Sequence, residues 1–370
     1  MSWTWCIGMF LPVILLRDLG WPGFWVFAIP NCLGAAAMGW VLRDPAQSRR
    51  LVDRHESACI WFSLITILFH TFFAAWIIRR FAGPASGAIL AVAFTFFWIL
   101  LQWPGVGKFL AAVLVLTVSL IALAIGLYRG DIPYVTQPLA LSPTTLPPSD
   151  ALWLAPVCLF GFLLCPYLDL TFHAARQATA PAEGRVAFTL GFCVLFPLMI
   201  LFTAAYSGPV VLFLARHLYP QMVFIVALHM IAHSAFTSAA HARQLAGRVR
   251  SISLRQFAIF ALALVVAVIL GIAPPRFPLN HNLAGGEIVY RAFLGFYGLI
   301  FPAYVWLRIT PGRRSIYRVA FAVAAAIPMF CLGFIQQWTL WLLPGVAIPL
   351  LAKLNFTPRN ASFPQKKANG

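Results

Sequence analysis

The stretch Trp153–Arg176, WLAPVCLFGFLLCPYLDLTFHAAR, reads as a membrane-spanning helix interrupted in its middle. An apolar run reaches Cys165-Pro166, and Tyr167, Asp169, Thr171 and His173 follow before the basic Arg176. Proline removes one backbone donor and clashes with the carbonyl four residues earlier, so the helix is weakest near Gly161–Pro166. Just past that point stands Asp169, whose charge is costly in hydrocarbon. Such a residue normally faces a bundle interior or a water-filled cavity and is a functional hypothesis by default. Discontinuous helices near the bilayer midplane are a recurrent way to build solute and ion sites. The plainer alternative is a proline-kinked helix whose Asp169 and His173 lie near an interface.

The surrounding chain fixes the class. Of 370 residues, 62% are hydrophobic and 9% charged, with a mean hydropathy of +0.87, which no soluble domain could bury. The chain therefore reads as an all-α polytopic membrane protein. A net charge of +17 would suggest nucleic acid in a soluble protein. Here the arginines sit in short loops between spans, so they report orientation, and no nucleic-acid partner is expected. The seven cysteines show no CxxC spacing and read as small buried residues.

Taken in order, the chain suggests about 12 spans: Trp3–Leu16; a second ending near Leu42 after the turn Gly20-Trp21-Pro22-Gly23; Ala58–Ile78; Ala85–Trp103; Gly107–Tyr128; the opening stretch; and Val186–Tyr206, Gln221–Ala242, Gln256–Ile272, Glu287–Leu307, Ile316–Ile335 and Trp338–Leu351. With the amino terminus inside, 19 of the 26 Lys and Arg fall on the cytoplasmic side, which predicts a multi-pass inner-membrane protein with both termini cytoplasmic. Residues 1–130 and 151–310 then hold five helices each. An odd number per repeat inverts the second repeat relative to the first. Residues 131–150 become an extracytoplasmic loop, 311–355 two added helices, and 356–370 a cytoplasmic tail. The first helix of each half carries Gly and Pro (Gly8 and Pro12, then Gly161 and Pro166), so a break is expected in both.

The run IGMFLPVILLRDLGWPGFWVFAIPNCLGAAAMGWVL (Ile7–Leu42) resembles the start of sodium:solute symporters, within the amino acid–polyamine–organocation superfamily. The points of likeness are a broken first helix, a Gly-Trp-Pro-Gly turn and a second helix rich in small residues. The resemblance implies a LeuT-like inverted 5+5 repeat and cation-coupled symport of a small organic solute by alternating access. It also implies a sodium ion held between carbonyls of the first helix and hydroxyls of the eighth, with no other cofactor and no enzymatic activity. Ser234, Thr237 and Ser238 fit the family's spacing, and Gly8 and Leu11 are the corresponding carbonyl donors. Residues three and four apart share a helix face, so one hard cation could touch several of these oxygens. The plain alternative is that these hydroxyls line a helix interface as small hydrogen-bonding residues.

Histidines open two other readings. His229 and His233, at i and i+4, could ligate one metal in an intramembrane metalloenzyme, although no HExxH motif is present. Asp169 with His173, or His233, could instead relay protons. His241, at the helix end, reads as a solvated interfacial residue. The resemblance implies a solute held between the broken helices and spans 3 and 8, where Tyr167, Asp169, His70, Trp76 and His229 are the candidate lining residues. Glu287 and Arg291, at i and i+4, read as a gate or as an interfacial ion pair. A relative that no longer transports and acts as a sensor or scaffold is the remaining alternative. Substrate identity and oligomeric state are not legible.

Overall fold

The computed structural model describes residues 5–128, 144–214, 220–248, 253–274 and 283–354. The expected 131–150 loop falls mostly, and the 356–370 tail wholly, outside the described residues. Among these residues no strand occurs, and the chain runs through α1 (Cys6–Val41), α2 (Pro45–Arg54), α3 (Glu56–Phe73), α4 (Arg79–Ala82), α5 (Ser86–Gln102), α6 (Gly107–Tyr128), α7 (Ala151–Leu164) and α8 (Leu170–Gln177). It continues through α9 (Pro181–Leu190), α10 (Phe196–Leu214), α11 (Pro220–Ala246), α12 (Leu254–Ile272), α13 (Gly285–Gly295), α14 (Phe301–Tyr304), α15 (Ile316–Phe330) and α16 (Leu342–Leu351). Eight helical stretches among the described residues are long and apolar enough to cross a membrane, as suits a polytopic membrane protein.

α1 takes in both of the first two expected spans and is interrupted at one place. Gly20 adopts φ 66° and ψ −157°, a conformation that side chains bearing a Cβ avoid. The bend is sharp. A Cβ on Gly23 would lie 3.0 Å from the Leu15 carbonyl oxygen, although eight helical residues would separate them by about 12 Å. The bend frees the carbonyls of Arg17 and Asp18, and the loop before α7 satisfies both: Thr145 N–H donates to Arg17 O (3.3 Å) and Leu146 N–H to Asp18 O (2.9 Å).

The break expected at Gly8–Pro12 is not there. Cys6–Leu19 is helical through Pro12, and proline costs the arm only the hydrogen bond to the Gly8 carbonyl. Packing compensates for that loss, because Cys6 to Leu16, Asp18 and Leu19 are all buried. This arm is the centre of the bundle. Its first N–H, on Cys6, donates to His70 Nε2 (3.2 Å), while Tyr290 and Tyr206 hydroxyls donate to the carbonyls of Cys6 (3.0 Å) and Met9 (2.5 Å).

The second expected break is present. α7 ends at Leu164, a 3-10 turn covers Cys165–Leu168, and Asp169 is extended (ψ 108°) before α8 begins. π turns at Gly191–Leu195 and Phe296–Ile300 lie just before Pro197 and Pro302, where the missing N–H already disturbs the helical ladder. α1 packs on α7, α9 and α10, and α11 packs on α3, α5 and α6. Arg176, fully buried at the end of α8, fastens it to the loop after α1 by donating to Leu42 O and Arg43 O, each at 2.6 Å.

Candidate functional site

The site forms where the interrupted helix faces α11. Asp169 is the N-cap of α8, and its Oδ1 accepts from Thr171 N (2.7 Å), Thr171 Oγ1 (2.7 Å) and Phe172 N (3.4 Å). Its side chain is fully buried, and Oδ2 has no hydrogen-bond partner among the described residues. Opposite it stands His241, whose Nε2 lies 4.0 Å from Asp169 Oδ1 and also lacks a hydrogen-bond partner. The His241 Nδ1 is 3.0 Å from Ser63 Oγ on α3. The reading of His241 as a solvated residue is therefore corrected. α11 runs on to Ala246, and α3 covers this turn, so the imidazole is 0% exposed.

Two further polar groups on α11 are buried without a partner among the described residues, Ser234 Oγ and Thr237 Oγ1; Ser238 is only half-buried. Thr237 and His241, at i and i+4, share a face. That face opens into a cavity of about 160 Å³ between α8 and α11, lined by Lys108, Thr171, Ala175, Thr237, His241 and Arg243. The carbonyl side of the expected sodium site is not unwound. Leu11 lies within the continuous helical arm, whereas the Gly8 carbonyl faces Pro12 and lacks its i+4 donor.

The other expected lining residues disperse. Tyr167 stands in the 3-10 turn, and its carbonyl lies 3.0 Å from His173 Nε2. A carbonyl only accepts, so His173 donates from Nε2, and its Nδ1 meets Ser48 Oγ at 2.8 Å. His173 thus has both ring nitrogens engaged by other partners while still within electrostatic reach of Asp169, and His241 is a second imidazole beside that carboxylate. His70 serves as the cap of α1: its Nδ1 lies 2.8 Å from Thr66 O, to which it donates, leaving Nε2 to accept from Cys6. Trp76 is packed in aromatic core, edge-on to Phe10 at 5.4 Å and stacked on Phe72 at 5.7 Å.

His229 and His233 do come together, with ring centroids 4.6 Å apart, but around a hydroxyl. Ser119 Oγ lies 2.8 Å from His229 Nδ1, 2.7 Å from His233 Nε2 and 3.1 Å from Val115 O. One hydroxyl proton cannot serve three acceptors, so at least one imidazole donates to Ser119. Among the described residues no group of three or more His, Cys, Asp or Glu is placed to hold a metal ion.

A second polar cluster closes the far end of the central arm. Arg17 donates to Glu287 Oε2 (2.9 Å) and Oε1 (2.6 Å) and to Asp18 Oδ1 (2.7 Å). Arg291 bonds Asp18 Oδ2, Glu287 Oε1 (2.8 Å) and the Phe334 carbonyl (3.1 Å). Two cations thus meet two anions, and Asp18, Glu287 and Arg291 are buried. Sequence spacing showed only the Glu287–Arg291 half. An apolar cavity of about 60 Å³ runs from Asp18 and Arg291 past Leu11 and Gly161 to Tyr297.

No family model, curated protein or solved structure matches the chain.

Proposed function

We propose that the chain is a cation-coupled secondary transporter of a small organic solute, working by alternating access, with a LeuT-like inverted repeat and inside termini. The observation that carries this reading is Asp169: a fully buried carboxylate at the break of a membrane helix, with one oxygen that bonds nothing among the described residues. A carboxylate in that position is costly unless a ligand or ion completes it. Two buried hydroxyls on α11 that bond nothing among the described residues, Ser234 and Thr237, supply the neutral oxygens a sodium ion favours, and the Gly8 carbonyl, whose i+4 residue is a proline, is a further donor. In this reading Tyr167 and Asp169 contact the solute, and the four-charge cluster at Arg17, Asp18, Glu287 and Arg291 is the closed outer gate. The cavity beside Thr237 and His241 is then the open inner crevice, so the state is inward-facing.

The test is thermal unfolding of the purified protein in sodium, potassium and choline chloride at equal ionic strength. A ligand bound only by the folded state raises the midpoint according to its concentration over its dissociation constant. Sodium alone should shift the wild type, and Thr237→Ala should abolish the shift. An equal midpoint in all three salts would remove sodium as the coupling ion.

A further inference from the structure

We propose that Asp169 and His241 form a proton-binding site, in which one proton is held between the carboxylate and the imidazole. The inference deepens the transport reading, resting on Asp169 as its centre, and names a second coupling ion. Three observations carry it. Both side chains are 0% exposed, and each presents a polar atom, Asp169 Oδ2 and His241 Nε2, that bonds nothing among the described residues. His241 Nε2 lies 4.0 Å from Asp169 Oδ1, beyond a hydrogen bond; that oxygen is anchored by the first turn of α8, and His241 Nδ1 meets Ser63. The cavity beside Thr237 has His241 in its wall, so open space adjoins the pair on one side while both side chains stay covered.

The charge count decides what the pair takes. With one proton it is neutral overall, whether the proton sits on oxygen or on nitrogen. Without it, a net negative charge stands in an apolar core, which is expensive. Two cations, Arg243 and Lys108, line the same cavity as His241 and offset part of that charge, and the remaining neighbours are neutral or already engaged. Cys165 in the turn, Cys59 on α3 and Tyr297 on the helix after α13 surround Asp169. His173 is held by Ser48 and Tyr167, and Arg248 sits beyond, 3.8 Å from Glu56. A carboxylate facing a metal site would bring further ligands; here one imidazole faces it, and no cluster of metal-ligating residues is present among the described residues.

The experiment is a pH series of unfolding midpoints for the full chain in choline chloride, without sodium, on wild type, Asp169→Asn, His241→Gln and His173→Gln. In the unfolded chain the carboxylate and the imidazole titrate independently in water, whereas the folded pair shares one proton, so the pair makes the unfolding midpoint depend on pH. One proton corresponds to about a tenfold change in the unfolding equilibrium per pH unit across the transition. Wild type and His173→Gln should show this slope, and Asp169→Asn and His241→Gln should flatten it. A slope that survives in Asp169→Asn, or that His173→Gln abolishes and His241→Gln leaves intact, overturns the proposal. Should either variant at the pair fail to fold, wild type decides by infrared titration. A carboxylic-acid carbonyl band, or the matching imidazolium signal, must vanish with rising pH, and its absence overturns the proposal. A sodium-dependent midpoint shift without the Asp169-dependent slope would leave the transport reading standing and remove only the proton site.

Discussion

Arg17 and Glu287 face each other through two near-parallel hydrogen bonds, of 2.9 and 2.6 Å, across 270 residues of chain. The pair joins the last turn of the central α1 arm to the first turn of α13, and Asp18 and Arg291 complete a square of alternating charge. Because Glu287 and Arg291 are buried, removing one partner strands the other in an apolar surrounding. Arg291→Ala should therefore destabilise the protein by about 3–5 kcal/mol, and Glu287→Gln by less, since the amide still accepts one bond. Arg17→Ala should cost less than Arg291→Ala, because the Arg17 side chain is 24% exposed against 8% for Arg291. A double-mutant cycle on Arg17 and Glu287, read by chemical or thermal unfolding in detergent, should give a coupling energy well above the ~1 kcal/mol of a surface pair.

The crossing of α1 and α7 depends on a missing side chain. A Cβ on Gly34 would lie 2.0 Å from the Phe162 carbonyl oxygen, and backbone cannot move aside as a flexible side chain can. Gly34→Ala should lower stability by at least about 1–3 kcal/mol through overpacking. Gly87, in the first turn of α5, meets nothing within 4 Å. Gly87→Ala should be neutral or gain up to about 1 kcal/mol from helix propensity. Paired unfolding curves check both, and a Gly34→Ala midpoint equal to wild type would disprove the close crossing.

What the sequence made legible follows from how local each cause is. The break at Cys165-Pro166 was readable because proline acts on its own helix, and Asp169 was readable because charge in an apolar run is conspicuous. Pro12 misled for the complementary reason: the same residue type sits in an arm buried on all sides, where packing holds the helix through the lost hydrogen bond. His241 was misplaced because its position at the span end suggested water, whereas its burial comes from α3 crossing over it. The Arg17–Asp18 half of the charge cluster was hidden by separation along the chain. Arg-Asp at the end of a span signals an interface, and only the fold brings Glu287 to it. His229 and His233 were legible as a pair, but the serine that joins them lies 110 residues away.

His55 gives a pH dependence outside the membrane-spanning segments. It joins α2 to α3, and its Nδ1 lies 3.0 Å from the Tyr304 hydroxyl. Burial, and then the like charges of Arg313, Arg308 and Arg54, hold its imidazole below the ordinary histidine range. The unfolded chain therefore takes up a proton that the folded chain refuses. Stability from this group is present above the ordinary value of 6.5 and is lost as pH falls through it towards the lowered folded value. His55→Gln should make the unfolding midpoint less sensitive to acidification over that window. An unchanged acid limb in the variant would show that His55 does not contribute to it.

The interrupted helix should be a single crossing, and its two ends can be addressed from opposite faces of the membrane. Ser149 stands exposed just before α7, and Ala178 is exposed just after α8. Between them lie the apolar α7, the 3-10 turn and the short polar α8, a length suited to one passage. Ser149→Cys and Ala178→Cys should both accept a membrane-impermeant maleimide, but in vesicles of opposite sidedness. The exposed native thiols, Cys193 and Cys331, lie within apolar helical stretches and should contribute little background. With basic loops held inside, Ala178→Cys should label only in inside-out vesicles and Ser149→Cys only in right-side-out ones. Labelling of both from one face would mean that the chain turns back at Cys165-Pro166, and the Asp169 break would then belong to a re-entrant segment instead of a spanning one.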